Sequence, residues 1–286
     1  MASARNVNQN TLTDAVIASF GKSDNARFRL LIEKLVTHLH DYARETRLTH
    51  AEWKAAIDFL YSAGKISDDA RNEFMLTSDV LGLSSLVDLL QSNQGATERS
   101  VLGPFHTDGS LLLENGGDLK RSNEGETLLV RGRVLDAAGK AIANATLDFW
   151  QAAANGFYWQ QDATQDKNNL RCKMVAGSEG HYAFTTVRPA PYTVPYDGPV
   201  GDLLRAGGRH AWRPSHLHFI VSAPGHHALT TEVFFAGDPY VNEDAVFGVR
   251  ESLVVKTKPA TDADARAHGL TLPCQVVDFD FRLQAA

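Results

Sequence analysis

The chain has 286 residues and a formal net charge of -6, with a pI near 6.0, which is enough length for one large domain or two modest ones. No cluster of Lys and Arg offers a footprint for nucleic acid or an anionic membrane, and no run approaches the roughly 18 apolar residues of a spanning helix. The segment from Met1 to Asn10 lacks the apolar stretch of a signal peptide, and Cys172 and Cys274 stand alone without CxxC spacing, so a cytoplasmic protein with buried thiols is expected.

From residue 11 to about 92 apolar residues recur three or four apart, as in Leu31, Leu35, Leu39 and Tyr42, which predicts four or five helices. Thr49 with Glu52 has capping-box spacing, and Ser67 before Asp68 and Asp69 marks a further helix start. Gly64 and Gly82 are expected stops. Asn93-Gln94-Gly95-Ala96 breaks the pattern, and after Gly103-Pro104 it changes to alternation with glycine turns. The boundary near residue 100 separates a helical region, 1–100, from a β region, 101–286.

Strands follow in quick succession from Thr127: Leu128, Val130 and Val134 alternate, Asp136 to Gly139 turns, and Ala145, Leu147 and Phe149 alternate again, as in a meander. Tyr182 to Val187, His216 to Val221 and Leu229 to Phe235 continue the series without crossover helices, which predicts antiparallel sheets closed as a sandwich. The fold class is therefore mainly β with an α-helical N-terminal region. The stretches from Gly156 to Gly180 and from Pro189 to Arg213 read as long loops, where function commonly sits. No internal repeat and no GxGxxG, Walker or HExxH motif occurs.

The run Arg213-Pro214-Ser215-His216-Leu217-His218 carries the chemistry. Alternation puts His216 and His218 on one face of a strand, able to present two imidazoles to one metal. Arg213 is a costly cation to bury without an anion to meet, although a surface salt bridge accounts for it equally well. Tyrosinate is a hard, strongly donating ligand that suits a ferric ion better than the softer divalent metals. Tyr158 and Tyr192 lie in loop contexts upstream, with Tyr182, Tyr196 and Tyr240 as competitors that spacing cannot separate.

The strings LGPFH at 102, LDFWQAAANGFYWQQ at 147, LRCKMVAGSEGHYAFTT at 170, PYTVPYDGPVGDLL at 191, GRHAWRPSHLHFIVSAPGH at 208 and the later FRLQ are similar to those of the intradiol ring-cleaving dioxygenases. The resemblance runs in order over about residues 70 to 285 and is carried by the GRH…RPxHxHF run with one tyrosine in each of two upstream contexts. It implies that Tyr158, Tyr192, His216 and His218 are the ligands of Fe(III), with Tyr192 and His218 axial and a hydroxide as fifth ligand. It also implies that Tyr192, once displaced, takes a substrate proton and that Arg213 stabilises negative charge on the ring during attack by O2. The implied pocket walls are Leu76, Asp79, Val101, Pro104, Phe105, Val194, Pro195 and Val246.

VPYDGPVG and DAVFGVRESL resemble the hydroxyquinol and chlorocatechol branch more than the plain catechol branch, and of these hydroxyquinol is favoured, giving 3-hydroxy-cis,cis-muconate, the enol form of maleylacetate. Cleavage of catechol or chlorocatechol is the alternative. Family resemblance further implies a homodimer joined through the N-terminal helices, with a lipid-occupied channel between subunits. Glu232 departs from the pattern, because the catechol branch is expected to carry glutamine there. Two more distant readings of the histidine pair are a zinc hydrolase using a nearby carboxylate and a β-sandwich binding module without turnover.

Overall fold

Helical periodicity holds through the first third of the chain. The computed structural model describes residues 4–68 and 71–286, and five α-helices precede the first strand: α1 (Leu12–Ser19), α2 (Ala26–Glu45), α3 (His50–Ile66), α4 (Glu73–Val80) and α5 (Leu83–Gln91). The chain divides into two units, Met1–Tyr61 and Ser62–Ala286.

Within the first unit, α2 starts at Asn25, whose side chain accepts from the Phe28 N–H at 2.9 Å. Arg44 on α2 donates to the Gln9 carbonyl at 3.0 and 3.1 Å, and Thr13 on α1 lies 3.0 Å from His40, so α1 is tied across α2. The box at the start of α3 closes as its spacing predicts: the Thr49 N–H donates to Glu52 at 2.8 Å and the Glu52 N–H to the Thr49 hydroxyl at 3.3 Å.

Two expected helix ends fall elsewhere. Gly64 lies inside α3 and ends nothing; a Cβ there would make only an ordinary contact with the Phe74 ring, at 3.7 Å. Ser67 starts no helix, because its hydroxyl donates back to Ala63 and accepts from the Glu73 N–H. The helix begins instead at Glu73, capped by Asn72, which accepts from the Met75 N–H at 2.9 Å. Asp69 of that expected turn lies outside the described residues. Gly82 does end α4, with φ +75.

The second unit contains strands β1 (Thr127–Asp136), β2 (Thr146–Trp150), β3 (Arg171–Val175), β4 (His181–Val187), β5 (Tyr192–Thr193), β6 (Trp212–Arg213), β7 (His216–Ser222), β8 (Leu229–Phe235), β9 (Val254–Val255), β10 (Lys258–Pro259), β11 (Gln275–Asp278) and β12 (Phe281–Leu283). One five-stranded sheet has β1 at its centre, paired with β4, β11 and β12; the other runs β3-β2-β7-β8-β9. Leu128, Val130, Phe184 and Phe281 of the first sheet share a core with Leu147, Phe149, Leu217, Phe219, Val233 and Phe235 of the second, which makes a sandwich.

The expected meander is corrected by this topology, since β1 and β2 lie in opposite sheets and do not pair. Nor are the sheets wholly antiparallel: β11 and β12 flank β1 in parallel and β9 runs parallel to β8. The supposed loops hold regular structure too. The first contains β3, and the second contains α6 (Pro199–Ala206), with Pro199 at its first turn and Glu73 accepting from the Val200 N–H at 3.0 Å. A seventh helix, α7 (Asp262–His268), precedes β11. Cys172 and Cys274 are both buried free thiols, and no described helix is long and apolar enough to cross a membrane.

Candidate metal centre

Strand alternation decides which residues can meet on β7. Leu217, Phe219 and Val221 point into the sandwich, which leaves His216 and His218 on the opposite face. The register across the sheet sets Trp150 of β2 and Glu232 of β8 on either side of His218. Trp150 lies flat on the His218 ring, 4.7 Å between centroids and 6° between planes, and fixes its tilt.

Two loops cover this face. Tyr192 enters on β5 directly opposite Arg213 of β6. Tyr158 follows β2, and Gly156, at φ +84, lets its loop pass Tyr192: a Cβ there would stand 3.4 Å from the Pro191 carbonyl and 3.5 Å from the Tyr192 Cβ. The Tyr158 ring stacks on Phe105 at 4.3 Å and meets the Tyr192 ring edge-on at 5.4 Å. The competitors are elsewhere: the Tyr182 hydroxyl donates to the Phe279 carbonyl, Tyr196 is half exposed, and Tyr240 stacks on Trp212.

The four donor atoms converge. His216 Nε2 and His218 Nε2 are 3.1 Å apart, Tyr158 Oη is 3.1 Å from the second and 3.5 Å from the first, and the Tyr192 ring stands 5.4 Å from the rings of both Tyr158 and His216. His216 Nδ1 lies 2.6 Å from the Pro214 carbonyl, to which only an N–H can donate, so its Nε2 keeps a lone pair facing the cluster. Burial, reinforced by Arg213, lowers the His216 pKa to about 4. Burial and then His216 push His218 well below its usual value, so both rings are neutral and free to ligate.

Burial raises both phenols, Tyr158 most strongly, with Tyr192 adding to it. Without a cation they stay protonated, and a bound highly charged ion reverses that balance. Two ring nitrogens at 3.1 Å suit one shared cation at ordinary bonds of about 2.0–2.1 Å. The residues therefore fit a metal with a hard, anion-seeking character.

Ligand atoms of His216, His218 and Glu232 also lie within 4.8 Å of one another. Glu232 is not a free ligand, however: its Oε1 accepts from Arg213 Nη1 at 2.8 Å and its Oε2 from Nη2 at 3.1 Å. Burial would raise the Glu232 carboxyl, but the Arg213 guanidinium outweighs it and holds it below its ordinary range. Arg213 itself is neither at the surface nor unpaired, because Asp244 binds its other edge at 3.0 and 3.1 Å. Burial opposes its charge, and Asp244 with Glu232 restores it, so it stays a cation.

A cavity of about 770 Å³ opens beside Tyr192 and is lined by Leu76, Pro104, Phe105, Val194 and Pro195 among the expected pocket residues. Asp79, Val101, Val246 and Arg213 are buried but are not part of that lining. Asp79 shares a face of α4 with Leu76, and its Oδ1 has no hydrogen-bond partner. Trp150, Ser100, Asp244 and Gly248 contribute to the site without having been singled out in the sequence. Trp150 carried a signal there, since alternation in LDFW places it opposite Leu147 and Phe149, outside the core.

Residues 105–285 match the family model described as Dioxygenase, and residues 25–99 match that described as Catechol dioxygenase N terminus. The chain is 45% identical to the 6-chlorohydroxyquinol 1,2-dioxygenase of Cupriavidus pinatubonensis, over 96% of this chain and 97% of that one. The solved hydroxyquinol 1,2-dioxygenase of Pseudomonas putida DLL-E4 superposes with a TM-score of 0.88 at 41% identity, covering 97% of this chain and 99% of that one. For the catechol 1,2-dioxygenase of Pseudomonas arvilla C-1 the TM-score is 0.81 at 32% identity, over 97% and 91%. The zinc-hydrolase and binding-module readings of the histidine pair fall away, because sequence and fold agree over nearly the whole length: the chain belongs to the intradiol ring-cleavage dioxygenases, oxidoreductases acting on aromatic diols.

Proposed function

We propose that the chain holds Fe(III) through Tyr158, Tyr192, His216 and His218 and cleaves hydroxyquinol with O2 to 3-hydroxy-cis,cis-muconate, the enol form of maleylacetate. The observation that carries the metal assignment is the buried meeting of two neutral imidazoles and two phenols, a donor set that favours a ferric ion over zinc. Bound there, iron would supply Lewis acidity that draws a vicinal diol into its anionic, oxygen-reactive form.

The chain's own groups divide the remaining work. Tyr192, which lines the cavity, takes a proton from a substrate hydroxyl at its Oη. Arg213 faces the cluster with Nη1, 3.3 Å from His216 Nε2, where it opposes negative charge developing on the ring. Phe105, Leu76, Val194 and Pro195 exclude water and hold the ring flat. Asp79, one helical turn from the cavity-lining Leu76, is the carboxyl that the third hydroxyl of hydroxyquinol would seek; its Oδ1 is unpaired and burial pushes the group upward, although it is not part of the cavity lining. The name of the Pseudomonas putida relative supports the same substrate, and that of the Cupriavidus relative its 6-chloro derivative.

The apolar faces of α2 and α3 support a homodimer, and a lipid between them is part of the same reading. Two reduced, buried thiols fit a cytoplasmic setting. Oxygen uptake with hydroxyquinol, catechol and 4-chlorocatechol side by side tests the substrate. Hydroxyquinol is expected to give a kcat/KM at least about tenfold above the others, the size of one well-placed polar contact. Equal values on all three would defeat the substrate choice and leave the reaction class standing.

A further inference from the structure

A guanidinium has five N–H donors in a fixed fork, and in Arg213 four of them are committed. Nε donates to Asp244 Oδ1 at 3.0 Å, Nη1 to Glu232 Oε1 at 2.8 Å, and Nη2 to Glu232 Oε2 and Asp244 Oδ2, both at 3.1 Å. The second Nη1 proton remains, on the side where His216 Nε2 stands 3.3 Å away. The clamp is closed from behind: a Cβ on Gly248 would lie 2.8 Å from both Arg213 Nη2 and Glu232 Oε2, so a larger residue would have to push the clamp aside. Ser100 Oγ sits 2.6 Å from Glu232 Oε2 and 2.7 Å from the Gly248 carbonyl and can give its one proton to either.

We infer that Glu232 is a positioning residue that also acts electrostatically, aiming the last N–H of Arg213 at the metal cluster and supplying the charge that lets a cation stand there. A lone guanidinium beside the ligands of a ferric ion would repel it. With Glu232 and Asp244 on its two edges, the cluster instead carries one negative charge in excess. Glu232 Oε1 lies 3.4 Å from both His216 Nε2 and His218 Nδ1, so that excess is felt at both imidazoles and favours the ferric over the ferrous state. His218 Nδ1, buried without a hydrogen-bond partner, faces the same oxygen.

The inference rests on the ferric reading above, and colour separates the two. In iron-loaded protein, Glu232→Gln keeps shape and removes charge, whereas Glu232→Asp keeps charge and shortens reach. E232Q is expected to retain a tyrosinate-to-iron band moved to longer wavelength, with the Fe(III)/Fe(II) equilibrium shifted about tenfold toward Fe(II), or 59 mV for one electron. E232D is expected to stay within about threefold of the unaltered chain, because the charge remains. A coloured E232Q with an unchanged equilibrium, or equal shifts in both variants, overturns the inference. Protein that stays colourless after iron is supplied sinks the ferric reading and this one with it. If E232Q holds no iron, a crystal structure of the unaltered iron-loaded chain decides: both Glu232 oxygens on Arg213 uphold the role, and one bonded to iron at about 2.2 Å refutes it.

Discussion

A single phenol oxygen separates the roles of the two tyrosines. Tyr192 lines the cavity and stands opposite Arg213, where the proposed function gives it a substrate proton. Tyr158 lies under Phe105 and is not part of the cavity lining, so its hydroxyl faces the two histidines and not the cavity. Tyr192→Phe is therefore expected to keep substrate affinity and lower kcat by at least about a hundredfold, the ordinary value of a placed proton acceptor. Tyr158→Phe is expected to lose iron instead, seen as absorbance falling in parallel with metal content. Equal behaviour of the two variants would remove the distinction. The histidine pair was legible because alternation in HLHFIV assigns Leu217, Phe219 and Val221 to the core and the histidines to the other side. Glu232 stood out as a departure, but its direction did not, since that depends on the register of β8 against β7. Ser100 carried no signal, and Asp244 and Gly248 only that of the DAVFGVRESL string, because distant loops bring them to Glu232 and Arg213 only on folding.

At the scale of elements, periodicity located α2, whose apolar residues recur at helical spacing, and the strands β1, β2, β4, β7 and β8, which carry the sandwich core. It failed at α6, where Gly198 and Pro199 read as a breaker although the pair starts a helix, and at the order of strands, which alternation does not encode. Helix α5 carries a further consequence. Burial of Asp88 pushes its carboxyl up to about 6, against the pull of Arg99, whose Nε lies 3.8 Å away. The two influences oppose each other, and at that separation the ion pair is too loose to compensate. The folded state thus binds the proton more tightly than the unfolded chain, so this group's effect on stability worsens as pH rises from about 4 to about 6. Undiscounted, two pH units amount to about 3 kcal/mol; with partial solvent screening, about 1 kcal/mol is the reasonable cost at pH 7. Asp88→Asn is expected to raise stability by that amount at pH 7 and to flatten the pH dependence between 4 and 6, measured by urea unfolding. A parallel stability curve for the two proteins would show that Asp88 is solvated in solution.

For the molecule as a whole, the open question is what covers the N-terminal helices. Helix α2 has 20 residues and no buried one, and at 1.5 Å per residue it presents a face about 30 Å long. Leu31, Leu35, Leu39 and Tyr42 follow helical spacing along it and are each more than half exposed, and Trp53 on α3 is 51% exposed. Such a stripe matches the periodicity of a buried face, yet within its own unit it buries almost nothing. Contiguous apolar surface of this kind is costly in water and is the usual mark of a partner. A second copy is the economical occupant, because a two-fold interface lets one stripe serve both chains. Sedimentation at micromolar concentration is expected to return twice the 31.3 kDa of one chain. The double variant Leu35→Glu with Leu39→Glu should fall to a single chain while keeping its helical circular dichroism, since neither side chain supports the fold of its own subunit. A mass of one chain for the unaltered protein, or an undiminished dimer in the double variant, would place the contact elsewhere and leave this face to some other partner.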